Sequence, residues 1–200
     1  MASRSYLRVT SHARPAPNRE ARALATLKYG VPVGWLFLFA DADRISYTLP
    51  DDPERPLFFF RAATGDARDR LSRALQTLRT HPYFGPCFAA LETLAEALAR
   101  ADKEHVELDV EEVLAMGDPG DDFEQQIKAA PGRLHEFLAA AAAKHVTRAL
   151  ELLNSLREVS GLELTGTPEG DAEAWRRELQ FHKLDTPEEL CRRRVAGELA

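Results

Sequence analysis

The stretch Tyr29-Gly-Val-Pro-Val-Gly-Trp-Leu-Phe-Leu-Phe-Ala-Asp41 limits the possible folds of this chain more than any other segment. Trp35, Phe37 and Phe39 fall within ten residues, flanked by valines and leucines. Such a run must enter a core, line a ligand site or touch a membrane. A helical span needs roughly 18–20 consecutive apolar residues, and Gly30, Pro32 and Gly34 interrupt this one. It also lacks the glycine-rich pattern that cradles phosphate. A core element remains. Pro32 is placed to start a helix through Trp35, Phe37 and Phe39, apolar nearly all round and therefore buried.

Two hundred residues suffice for a core without a metal or disulfide staple. The expected organisation is a main domain over 1–160 and a C-terminal extension over 161–200 packed on it. Cys87 and Cys191 lie far apart and form no disulfide framework, and no apolar segment follows the N-terminal Met-Ala-Ser-Arg. Both features point to a reducing cytoplasm. The net charge of −6 disfavours nucleic acid as a partner. Its distribution is uneven. Residues 1–30 carry Arg4, Arg8, Arg14, Arg19, Arg22 and Lys28 against Glu20 alone, whereas 101–124 carries ten acidic residues against Lys103.

Periodicity predicts a mostly α protein, α+β with a few short strands. Ser5–Val9 alternates, with Tyr6, Arg8 and Thr10 opposite Leu7 and Val9. Leu24 and Leu27 suggest a short helix over 19–28. Leu57-Phe-Phe-Phe60 suits a buried strand or a helix start equally well. Helices are expected over 66–80, with Leu71, Leu75 and Leu78 inward, and from Pro86 to Arg100. Val106, Leu108 and Val110 predict a strand that runs into a helical turn near Glu111, and Asp121 or Asp122 is placed to cap a following helix. The strongest helical pattern runs from Pro131 to Val159, ending before Gly161. It predicts one long helix around which the helical core is built. Shorter elements are expected in the tail: a strand near Leu162, and helices over 172–184 and 187–199.

The chemistry-bearing residues form no familiar constellation. None of the six histidines makes an H-E-x-x-H pair, and His145, on the apolar stripe, suits a core or edge position better than a metal. His105-Val-Glu107 and Pro86-Cys87 stand in the wrong order for a zinc deaminase, with Ala90 where a second cysteine is needed. Cys87, among Phe84, Phe88 and Leu91, fits a small buried residue better than an activated thiol. Asp41 and Asp43 suit loop and capping roles. Asp118-Pro-Gly-Asp-Asp lacks the ligand spacing of a calcium loop and predicts a turn. No catalytic residue, metal or cofactor is assigned.

The start Met1-Ala-Ser-Arg-Ser-Tyr-Leu7 resembles a group of uncharacterised bacterial cytosolic proteins beginning Met-Ala-Asn-Arg-Ser-Tyr-Leu, from which it departs at Ser3. Tyr29-Gly-Val-Pro-Val33 and Val106-Glu-Leu-Asp-Val-Glu-Glu-Val-Leu-Ala-Met116 are similar to segments of the same group. The resemblance spans about the first 130 residues. It implies a bacterial, cytosolic setting and brings no activity.

The functional expectation is a non-enzymatic protein-binding module, an immunity- or antitoxin-like protein that neutralises a basic partner. Its acidic surface would comprise Glu104, Glu107, Asp109, Glu111, Glu112, Asp118, Asp121 and Asp122, since opposed charge speeds encounter. No nucleic acid or membrane is expected as a partner. Two alternatives are a small hydrolase-like enzyme whose histidines and carboxylates converge only in the fold, and an adaptor subunit of an assembly.

Overall fold

The computed structural model describes residues 4–12, 22–28, 30–49, 52–85, 88–115 and 121–180. Five strands form one antiparallel sheet: β1 (Arg4–Thr10), β2 (Arg22–Lys28), β3 (Arg44–Leu49), β4 (Asp52–Ala63) and β5 (His105–Asp109). Their order across the sheet is β2-β1-β5-β4-β3, so β5, late in sequence, pairs between β1 and β4. The helices are α1 (Val33–Leu36), α2 (Thr64–Arg79), α3 (Phe88–Ala99), α4 (Glu111–Leu114), α5 (Asp122–Ala142), α6 (Val146–Asn154), α7 (Arg157–Ser160) and α8 (Pro168–Gln180).

The architecture is therefore α+β, and the mostly α expectation is corrected by the sheet. Leu24 and Leu27 sit three residues apart, the spacing of one helix face, yet their segment is strand β2, paired with β1. Strand β4 escapes alternation because Leu57, Phe58, Phe59 and Phe60 are all buried, so both faces of that strand are covered.

The predicted long helix is also corrected. Helix α5 starts at Asp122, where the Asp121 carboxylate accepts the Glu124 amide at 2.8 Å. Pro131 lies inside it rather than at its start. The helix stops at Ala142 because Lys144 takes a left-handed conformation, φ 61°. The amides of Lys144 and His145 then fold back onto the carbonyls of Ala141 and Ala140, both at 2.9 Å. This closes the helix end with lysine in the place glycine usually takes. The apolar repeat continues into α6, so the pattern is blind to the break. His145 lies exposed at that junction, not on a core stripe. Gly161 does end α7, with φ 73°. Residues 162–165 form no strand. Cys87, Asp118 and the 187–199 segment lie outside the described residues.

The two sheet faces have opposite chemistry. Leu7 pairs with Leu108 and Val9 with Val106, while Phe60 and Ala62 flank the same two residues of β5 from the other side. With Phe58 they form the floor of the main core, together with buried residues of α2, α3 and α5. Residues 30–39 enter this core. Residues 31–39 are all buried, Trp35 at 1% exposure. The segment forms a single helical turn, α1, followed by further tight turns in which Leu38 donates to Trp35 and Phe39 to Leu36. Its entry is fixed at Gly30, whose carbonyl accepts the buried Ser5 hydroxyl at 2.6 Å. A β-carbon at Gly30 would stand 3.0 Å from the Val159 carbonyl, a tight contact, so glycine eases the close passage of the chain by α7.

Candidate functional site

The second face of the sheet carries most of the chemistry. Strand pairing places Arg8 opposite Glu107, Tyr6 opposite Asp109 and Thr10 opposite His105. On the far side of β5, Arg61 stands opposite Glu107, Phe59 opposite Asp109 and Ala63 opposite His105. Tyr47 joins from β3, its ring edge-on to Phe59 at 5.7 Å.

Two ion pairs tie this face together. Arg8 meets Asp109 at 2.9 Å and also lies over the Tyr6 ring, 4.5 Å from its centre. Arg61 Nη1 lies 3.3 Å from Glu107 Oε1, and both side chains are almost wholly buried. Arg61 Nη2 donates to the His12 carbonyl. Nη1 itself has no partner in hydrogen-bond geometry. Burial pushes the Glu107 carboxyl up from its ordinary range, opposed by the Arg61 and Arg8 cations. Burial pulls His105 down, and Arg61 adds to the effect. The buried His105 Nδ1 has no hydrogen-bond partner.

At the end of β5 the chain turns into α4, and two carboxylates project there. Tyr47 donates its hydroxyl to Glu111 at 2.9 Å, and Tyr6 donates to Glu112 at 2.7 Å. The Arg4 backbone amide also donates to Glu112 at 3.0 Å. Both phenols are pushed up, first by burial and then by the carboxylate each one serves. The turn is closed by the Glu111 amide, which donates to Asp109.

The eight acidic residues singled out from sequence thus have different surroundings. Glu107 and Asp109 are matched by arginines inside the sheet. Glu111 and Glu112 are held by neutral hydroxyl donors, which orient a carboxylate without cancelling its charge; the Arg4 cation, also bonded to Tyr6, lowers the Tyr6 phenol against the larger raising effects. Asp121 caps α5. Glu104 and Asp122 are exposed, and Asp118 lies outside the described residues. Sequence reasoning missed Tyr6, Arg8, Tyr47 and Arg61 as members of the same cluster. The only available signal was the shared alternation of Tyr6 and Arg8.

Two other polar groupings serve structure. Asp43 accepts the Ala40 amide at 2.8 Å and meets Arg70 at 2.5 Å, the capping role expected of it. Asp41 approaches the place where a Gly132 β-carbon would stand, so it packs against α5. Neither aspartate joins His105, which stands beside Glu107 and Arg61 instead. Among the described residues, no group of three or more His, Cys, Asp or Glu side chains is arranged to hold a metal. No described helix is long and apolar enough to cross a membrane.

Residues 2–160 match the model of a domain of unknown function, DUF8083, and the chain belongs to that family. No curated protein and no solved structure matches it.

Proposed function

We propose that this member of the DUF8083 family is a non-enzymatic protein-binding module that docks a basic partner in an immunity- or antitoxin-like role. The observation that supports it is the pair Glu111 and Glu112, held from two sides by Tyr47 and Tyr6. Carboxylates fixed before encounter lose less conformational freedom on binding. Tyrosine and arginine are also the side chains that most often concentrate binding energy at protein interfaces. Glu104, at the opposite end of β5, and Asp122, at the start of α5, are exposed as well. Glu107 and Asp109 act here as a foundation, since their charge is spent on arginines.

The test is affinity capture from the native host, with the wild-type chain and a Glu111→Lys/Glu112→Lys variant side by side. The expected result is a basic protein whose association weakens with salt. The double reversal should weaken it by about tenfold or more in a chain that stays folded, its unfolding midpoint lowered modestly because the Tyr47 and Tyr6 hydroxyls lose their acceptors. Equal capture by both chains, or capture of nothing, removes this reading.

A second reading, a small hydrolase-like enzyme, draws on His105 and Glu107. They share one face of β5 beside Arg61, and burial shifts the two in opposite directions. Such opposed shifts can mark acid and base roles. Turnover of ester or phosphodiester substrates that disappears in a folded Glu107→Gln chain would favour this reading; no turnover would end it.

A further inference from the structure

Helix α8 begins at Pro168, beyond the 2–160 span of the family domain, yet it inserts its largest side chain into that domain. Trp175 is fully buried and stacks on Phe37 of the Tyr29–Asp41 stretch, with ring centres 6.1 Å apart and planes 25° from parallel. One turn earlier, buried Asp171 accepts the Tyr83 hydroxyl at 2.8 Å. The same carboxylate accepts the amides of Thr165 and Gly166, which sets the approach of the connecting loop. Asp171 and Trp175 lie four apart and so share one face of the helix.

The receiving surface has two separable parts. Phe37, Phe137 and Phe84 form a continuous aromatic wall, with 6.2 Å between the first two and 5.2 Å between the last two. Beside it, the turn 81–85 carries Tyr83. That turn is held by His81 Nδ1, which accepts the amides of both Tyr83 and Phe84. Like the charged face of the sheet, where Arg61 Nη1 and His105 Nδ1 lack partners, this region holds unmatched polar atoms. Trp175 Nε1 is buried without a hydrogen-bond partner, and so is His81 Nε2. A buried polar atom left unmatched weakens the state that contains it. Helix α8 is thus attached by the Trp175 plug, by the buried Ala172 and Ala174 on either side of Glu173, and by the Asp171–Tyr83 bond.

We propose that α8 is a separable latch: the family domain carries a groove for a helix of the pattern Asp-x-x-x-Trp, and this chain fills it with its own 168–180 segment. The groove is the Phe37–Phe137–Phe84 wall with Tyr83 at its rim, and Asp171 and Trp175 are the two side chains it selects. Release of α8 leaves the sheet and its helices folded.

Hydrogen exchange on the full chain tests this. In Trp175→Ala, amides within 168–180 should exchange about 100-fold faster or more, the scale of truncating a buried aromatic, while β4 and β5 amides keep their protection. Tyr83→Phe removes the hydroxyl that Asp171 accepts and should speed the same α8 amides by about tenfold. A labelled peptide of residues 165–180 should then bind saturably to the Trp175→Ala chain and not to wild type. The same peptide with alanine at 175 should bind neither. Loss of protection throughout the sheet in either variant would show α8 to be an integral part of the core and overturn the proposal. So would a peptide that fails to bind the Trp175→Ala chain, or binds both chains equally.

Discussion

The two faces of the sheet are made by the same three central strands, yet they are held by different physics. On one face Leu7, Val9, Phe60, Ala62, Val106 and Leu108 exclude water by area and shape alone. On the other, Arg8, Arg61, Glu107 and Asp109 cancel one another, with Tyr6 and Tyr47 at the margin. An apolar face tolerates exchange of one hydrophobic group for another of similar volume. A buried charged face tolerates removal of a whole pair far better than removal of half of one. The stability of the domain is therefore distributed between a part sensitive to volume and a part sensitive to pairing.

The largest effects separate these two dependences. Phe60→Ala on the apolar face should cost about 3–5 kcal/mol. Glu107→Ala should cost about 3–5 kcal/mol as well, because Arg61 would remain buried and unpaired. The distinction lies in rescue. Adding Arg61→Met to a Glu107→Leu chain should recover most of the loss, and no change of charge should rescue Phe60→Ala. Denaturant unfolding of the four chains measures this. If Glu107→Leu alone proves as stable as the double variant, the charged face is not held by pairing.

How far these faces were legible in sequence follows from the same contrast. Strand β1 was legible because its two faces differ, so Tyr6, Arg8 and Thr10 alternate with Leu7 and Val9. Strand β5 was legible through Val106, Leu108 and the turn at Glu111. Strand β4 was not, because its consecutive aromatics serve both faces, and β2 was masked by a leucine spacing that mimics a helix. The acidic block stood out as composition. Its division into paired and unpaired carboxylates did not, because Arg8 and Arg61 come from strands remote in sequence. The break at Lys144 left no sign either, since the usual marker, glycine, is absent there.

Acidity sharpens the comparison next, because the apolar face has no titrating group. The Glu107 carboxyl is raised in the fold, so its contribution is fully present below its unfolded value near 4.5 and declines as pH rises through the folded value. His105 is lowered, so its contribution is present above its unfolded value near 6.5 and is lost as pH falls through the folded value. The two slopes oppose each other. Relative to wild type, His105→Gln should gain stability as pH falls below 6.5, whereas Glu107→Gln should lose stability as pH falls toward 4.5. Unfolding free energies measured across this range should show the two differences changing with pH in opposite directions. A common direction would mean that burial does not control these groups.

The smallest effect probes the margin, where the charged face meets the proposed partner surface. Tyr47→Phe keeps the ring against Phe59 and removes only the hydroxyl that Glu111 accepts. The half-exposed Glu111 can turn to water, so the cost should be about 0.5–1.5 kcal/mol, well below that of Glu107→Ala. Its effect on binding should be disproportionate if Glu111 must be oriented before a cation arrives. In that case Tyr47→Phe weakens partner binding while its melting temperature falls only slightly, and Glu111→Gln shows the same binding loss with no further penalty when the two are combined. Additive losses would mean that the hydroxyl and the carboxylate act separately. The tyrosine would then be only a packing residue at the edge of the sheet, and the acidic end would owe nothing to the charged face beneath it.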